Sequence, residues 1–322
     1  MVTVGALRVV FFGTPQFAVP TFDALLRSRH TVVGVVTRAD RPRGRGQRTT
    51  DAPIKARATD ARVAVLQPER LADPAFLDSL RALDADIGVV VAYGKILTDA
   101  VLAIPRLGLV NVHASLLPKY RGAAPIHRAI VAGEPETGVT IMRVVKALDA
   151  GPMLARLSRP IGPDDTSDDL ERHLADRGAG LLVETVDAIA DGRAREQVQD
   201  DAAATYAPRL TKDDGVVDWR SSAAHIHNQI RGLRPWPHAF TFHHGKRLIL
   251  LRSIAEREAL AERPGSRSGT ILEAAGDRLI VATGTGALRL TEIQSEGKRP
   301  MAVRDFLAGH HLAVGDRLSA VP

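Results

Sequence analysis

In this 322-residue chain, Asn111 and His113 are the residues whose types and spacing most directly allow chemistry. They close the apolar run Gly108-Leu-Val-Asn-Val-His113. In an extended strand alternate side chains share a face, so the amide and the imidazole point the same way. Two polar groups at the end of an apolar strand need partners or solvent there. An amide is a neutral donor, and an imidazole is the side chain most easily tuned near neutral pH. Donors converging on one point stabilise negative charge developing on oxygen, as in the tetrahedral intermediate of acyl transfer. Such a site also needs a carboxylate to hold the imidazole and to receive a proton from an attacking amine. The best candidate is Asp149, in the turn Leu148-Asp-Ala-Gly151. Taken singly, an Asp before Ala-Gly also reads as a turn residue, and an Asn-x-His pair as a satisfied structural pair.

Other chemistries are disfavoured. The chain has no Cys, which excludes disulfides, a thiol nucleophile and Cys-based metal sites and suits a reducing compartment. There is no G-x-S-x-G, and Ser115 has no local base. His225-Ile-His227 and His243-His244 lack a carboxylate or third His at ligand spacing, so no metal is expected. A single Gly13 follows the first strand. Without G-x-G-x-x-G or G-x-x-x-x-G-K-[ST], nucleotide sites of those kinds are not expected. What remains is direct transfer between two bound substrates with no covalent enzyme intermediate.

The elements that must position these groups follow from periodicity. Apolar runs at 7–12, 31–36, 86–92 and 108–113 alternate with helical patterns around 17–26, from 53, at 73–83 and from Pro125. Strands alternating with helices predict an α/β, doubly wound, mostly parallel sheet, whose ligands bind at the carboxyl ends of the strands. Extended segments at 137–145 and 153–161 precede a long helix capped by Asp165-Thr-Ser167 and reaching Ala190. Residues 1–190 are thus read as the catalytic domain and the polar stretch 191–208 as a linker. Residues 209–322 form a second domain with a helix at 221–233. Its five short strands, at 239–242, 247–254, 269–274, 279–282 and 288–293, suggest a small OB-like β-barrel.

Net charge is +6. Residues 206–322 hold 17 Lys+Arg against 12 Asp+Glu, and the Gly- and Pro-containing stretch 38–48 holds five Arg and one Asp. Two basic zones suit a polyanionic partner, although soluble basic proteins without one are common. The apolar run Val9–Phe12 is too short for a signal peptide, and nothing reaches the length of a membrane span. A cytoplasmic protein is expected.

Asn111-Val-His113 running into Ser115-Leu-Leu-Pro118 and Arg121-Gly-Ala-Ala-Pro125, then Leu148-Asp-Ala-Gly151, resembles the folate-dependent formyltransferases. Further similarity lies in Phe12-Gly-Thr-Pro15, Asp40-Arg-Pro-Arg-Gly-Arg-Gly46, Val91-Ala-Tyr-Gly94, Gly138-Val-Thr-Ile141 and Pro235-Trp-Pro237. The resemblance covers nearly the whole chain and implies a Rossmann-like catalytic domain. It implies transfer of the formyl group of 10-formyltetrahydrofolate, without a metal, to the amino group of methionyl-initiator tRNA, by a protein expected to be a monomer. A formyltransferase acting on a small amine, such as a purine precursor or sugar nucleotide, is the alternative. Asn111, His113 and Asp149 match the family's catalytic trio. Ser115, Leu116, Leu117 and Pro118 match its folate-contacting loop. Arg41, Arg43, Arg45 and Arg48 match an insertion that approaches the acceptor end of the tRNA. Ala147 and Ala150 stand where Gly and Thr are usual, and Ala114 where Gly is common; the polar trio is intact.

Overall fold

The computed structural model describes residues 5–40, 42–43, 48–49, 51–256 and 267–321. Arg41 and Arg45, two of the four loop arginines, lie outside the described residues, and of Arg43 and Arg48 only the backbone is described.

The chain divides into two compact units. The first comprises the chain up to Gly122, Thr137–Arg159 and Glu171–Ala207; the second comprises Ala123–Glu136, Pro160–Leu170 and the chain from Pro208 on.

In the first unit a seven-stranded sheet runs in the order Met153–Pro160, Glu136–Arg143, Leu109–His113, Ile87–Val91, Arg8–Gly13, Thr31–Val36, Val65–Leu66. The five strands from Leu109–His113 to Val65–Leu66 are mutually parallel. Glu136–Arg143 runs antiparallel to Leu109–His113, with His113 opposite Thr140 and Asn111 opposite Met142. This is the mostly parallel α/β sheet expected from the sequence. Its central strands read as unbroken apolar runs because both faces are covered, and Val9, Val10, Phe11 and Phe12 are fully buried.

Helix boundaries follow local chemistry. Pro occupies the first turn of Pro53–Asp60, Pro74–Ala82 and Pro125–Ala132, where its missing N–H costs nothing. The Asp73 carboxylate accepts from Ala75 N–H and caps Pro74–Ala82. Thr166 and Asp169 cap each other ahead of Ser167–Ala190, the Thr hydroxyl accepting from Asp169 N–H while the carboxylate accepts from Thr166 N–H. That helix lies very close to the sheet at Gly178, where a Cβ would stand 3.2 Å from Val112 and Val139 side-chain carbons. Val112 therefore faces the helix, and its neighbours Asn111 and His113 face the other way.

The polar stretch at 191–208, read as a linker, is packed on the first unit as far as Ala207. Met153 and Gln197 exchange backbone hydrogen bonds, and Tyr206–Ala207 pairs in parallel with Arg121–Gly122. No hydrophobic periodicity marks such a strap, because it is held by backbone pairing and by polar side chains.

In the second unit the five strands expected there form one antiparallel sheet in the order Ala239–His243, Lys246–Glu256, Ala287–Ser295, Arg278–Ala282, Ile271–Ala275. The tail bridges the two outer strands, Ser319 pairing with Phe242 and Arg317 with Thr270. The sheet curves around a core that includes Trp219, Ile226, Leu250, Leu290 and Phe306. Helices Pro125–Ala132 and Ala223–Gly232 pack together in this unit, closely enough that a Cβ at Gly232 would sit 2.9 Å from Val131 Cγ2. Among the described residues no helix is long and apolar enough to cross a membrane.

Candidate active site

Leu109–His113 delivers Asn111 and His113 to the carboxyl end of the sheet, the rim where α/β sheets bind ligands. His113 is buried, and its Nε2–H donates to the backbone carbonyl of Tyr120 at 2.9 Å. Its Nδ1 lies 3.7 Å from Oδ2 of Asp149, whose side chain is only 13% exposed. Both ring nitrogens thus face oxygen atoms, and among the described residues only Nε2 is hydrogen-bonded. At 3.7 Å the Nδ1 proton is not committed to Asp149, and it remains available to a third atom entering between them. The Asn111 side chain is partly exposed and has no hydrogen-bond partner among the described residues.

Asp149 is brought to His113 by a tight return between two strands. Gly151 is obligatory there: a Cβ would stand 1.9 Å from the carbonyl oxygen of Arg143. Asp149 itself adopts the left-handed conformation (φ 49°), uncommon for a residue with a side chain but tolerated by Asp. The Gly122 N–H donates to its Oδ2 at 2.8 Å. Gly122 has φ 121° and touches the strap, so that a Cβ would be 2.7 Å from Ala207 O.

The loop Ser115–Pro118 is shaped from beneath by Thr140. The Thr140 hydroxyl donates to Ser115 O (2.7 Å) and accepts from Leu117 N–H (3.1 Å). Gly138 leaves room for this loop, since a Cβ there would clash with Leu157 O at 2.1 Å and Leu116 Cδ2 at 2.6 Å. Of the four loop residues, Leu117 is fully buried against Met142 and Met153, and Ser115 is buried with its hydroxyl donated to Lys119 O. Only Leu116 and Pro118 keep part of their surface exposed.

Sequence reasoning did not find Tyr120 O, Gly122 N–H, Thr140 or Gln199. The first two act through backbone, which leaves no side-chain signal. Thr140 lies in Gly138-Val-Thr-Ile141, a run matched for similarity but given no role. Gln199 sits in a polar stretch where nothing separates it from its neighbours.

At the foot of the arginine-rich stretch, Asp40 is engaged by Lys55 and by Gln67 Nε2 (3.0 Å). The Lys55 ammonium holds the Asp40 carboxyl below its ordinary range. Near the switch in strand order, Tyr93 is buried with its hydroxyl unpartnered among the described residues, and burial pushes its phenol up to about 12. In the second unit, Asp316 supplies a carboxylate that spacing alone did not reveal beside His243-His244. It lies 3.2 Å from His243 Nε2, and the three ligand atoms lie within 4.8 Å of one another. The His243–Asp316 pair ties the β-hairpin turn to the turn at 313–316, where Asp316 also accepts from Ala313 N–H.

The family matches of both parts of the chain define a formyl-transfer enzyme. Residues 7–186 match the family Formyl transferase, and residues 209–311 match Formyl transferase, C-terminal domain. The methionyl-tRNA formyltransferase of Caldanaerobacter subterraneus subsp. tengcongensis is 46% identical over 310 residues, covering 96% of this chain and 99% of that one. That of Methylococcus capsulatus is 46% identical over 312 residues, covering 97% and 99%. The chain therefore belongs to the methionyl-tRNA formyltransferase family. Among solved structures, an N-formyltransferase from Helicobacter canadensis in complex with folinic acid and dTDP-3-aminofucose aligns with TM-score 0.68 at 18% identity, covering 90% of this chain and 99% of its own. HypX from Aquifex aeolicus in complex with tetrahydrofolic acid aligns with TM-score 0.64 at 15% identity, covering 94% and 47%. At those identities the likeness is one of fold.

Proposed function

We propose that this chain transfers the formyl group from N10 of 10-formyltetrahydrofolate to the α-amino group of methionyl-initiator tRNA, acting as a cytoplasmic monomer. The observation that supports the reading is the 3.7 Å approach of His113 Nδ1 to Asp149 at the rim of the sheet, with Asn111 on the same strand and facing the same way as His113; three groups are then to hand. They are an amide without a partner among the described residues, an imidazole with Nδ1 uncommitted, and a carboxylate anchored by backbone.

The amine lone pair attacks the formyl carbon, forming the new C–N bond, and the carbonyl electrons move onto oxygen. Asn111 and the Nδ1–H of His113 donate to that oxyanion. Asp149 stabilises the imidazolium and receives the amine proton through water. Collapse of the intermediate breaks the bond to N10, which takes up a proton. Tyr120 O holds the ring so that Nδ1, not Nε2, meets the substrate. The loop 115–118 contributes to folate binding through Leu116, Pro118 and backbone groups, because the Ser115 and Leu117 side chains are already occupied. Arg41, Arg43, Arg45 and Arg48 contact the acceptor end of the tRNA.

The test supplies formyl donor with charged initiator tRNA, with small amines such as aminosugar nucleotides, or with buffer alone, and follows loss of the formyl group. Release dependent on charged tRNA supports the proposal. Equal release with a small amine, or with buffer, rejects it.

A further inference from the structure

We infer that Gln199 is a positioning residue for the Asp149 carboxylate, an inference that rests on the catalytic reading of Asp149 above. Gln199 is 6% exposed within a strap whose neighbours from Arg195 to Ala203 are all exposed. Its Nε2 donates to the backbone carbonyls of Asp149 (2.8 Å) and Gly151 (2.7 Å). Its Oε1 accepts from Nε (3.1 Å) and Nη2 (2.8 Å) of Arg121. A primary amide has two N–H donors and two acceptor lone pairs, and here all four are used.

The consequence is a single amide joining both anchors of the carboxylate. On one side it grips the backbone of the turn in which Asp149 is held in the left-handed region, a conformation that persists where surroundings impose it. On the other it fixes buried Arg121, the residue before Gly122, whose N–H holds Asp149 Oδ2. Arg121 is further tied to Asp201 at 2.7 Å, and the loop before it to Thr205, whose hydroxyl accepts from Tyr120 N–H at 2.9 Å. Misplacing a catalytic group by about 1 Å costs on the order of a hundredfold in rate, so a clamp on both sides of Asp149 acts on turnover.

Two substitutions in the full-length protein separate positioning from anchoring. Gln199→Glu keeps an oxygen acceptor, now ionic, for Arg121, but presents oxygen rather than N–H to the two carbonyls. Gln199→Met keeps the volume and removes all four hydrogen bonds. If Gln199 positions Asp149, Gln199→Glu loses roughly tenfold or more in kcat. Its KM for 10-formyltetrahydrofolate stays within about twofold, and its melting temperature stays closer to the parent than that of Gln199→Met. If Gln199 merely anchors Arg121 and the strap, Gln199→Glu turns over like the parent, and that result overturns the inference. Should Gln199→Glu fail to fold, Gln199→Met assayed well below its melting temperature decides in the same way, by lowered or parental kcat. Asp149→Asn is measured alongside. Retained turnover in that variant means the reading of Asp149 itself has failed and the inference falls with it. A collapse there with a parental Gln199→Glu rejects the positioning role alone.

Discussion

Oδ2 of Asp149 accepts the Gly122 N–H at 2.8 Å while standing 3.7 Å from His113 Nδ1. The carboxylate is therefore oriented by backbone rather than by the imidazole beside it. At that distance an Nδ1 proton is not committed to the carboxylate and is free to meet a third atom.

Asn111→Ala is expected to lower kcat by about two to three decades, roughly 3–4 kcal/mol, the cost of removing one oxyanion donor. Because no described residue is hydrogen-bonded to this side chain, the melting temperature should stay within about a degree of the parent. Near-normal single-turnover rates would remove Asn111 from the mechanism.

Gly122→Ala should harm both stability and turnover. The added Cβ would meet Ala207 O at 2.7 Å in a backbone with φ 121°, a strain of order 1–3 kcal/mol. Relief requires moving the N–H that holds Asp149. Thermal unfolding together with kcat checks this, and a variant unchanged in both would sink the assignment of Gly122 as anchor.

Replacing Arg43 and Arg45 together with Ala should raise KM for tRNA and leave KM for the formyl donor unchanged. The slope of log(kcat/KM) for tRNA against log[salt] should become shallower by about one for each phosphate no longer neutralised. An identical slope in parent and variant would reject phosphate binding by these residues.

Burial holds His127 and His238 below the ordinary imidazole value, desolvation being the largest cause for each. Both are neutral in the fold and take up protons more readily when unfolded. Their contribution is present above the unfolded value of about 6.5 and is lost as pH falls through it toward the folded value. The melting temperature should decline as pH falls below about 6.5, and His127→Gln should flatten that decline. The same slope with and without His127 would show that this ring does not titrate as argued.

The elements were legible because their signals are local. Thr31–Val36 is a run of β-branched residues around one Gly, and Asp165-Thr-Ser167 announces the long helix at its first turn. The fate of 191–207 was not legible, since its hold depends on residues such as Arg121 and Met153, tens of positions away. The four residues of the 115–118 loop also looked alike as folate contacts. Which side chains remain available there was decided by Met142, Met153 and Lys119 O.

From the order of residues alone came the strand and helix types, the α/β class, the second β-domain and a candidate polar trio. Each depends on periodicity, capping or residue chemistry read over a few positions. Only the packed chain decided which nitrogen of His113 is spoken for, what orients Asp149 and why Gln199 is buried. Those outcomes depend on hydrogen bonds between groups 7 to 78 residues apart, and the donors and acceptors involved are largely backbone atoms that every residue carries alike.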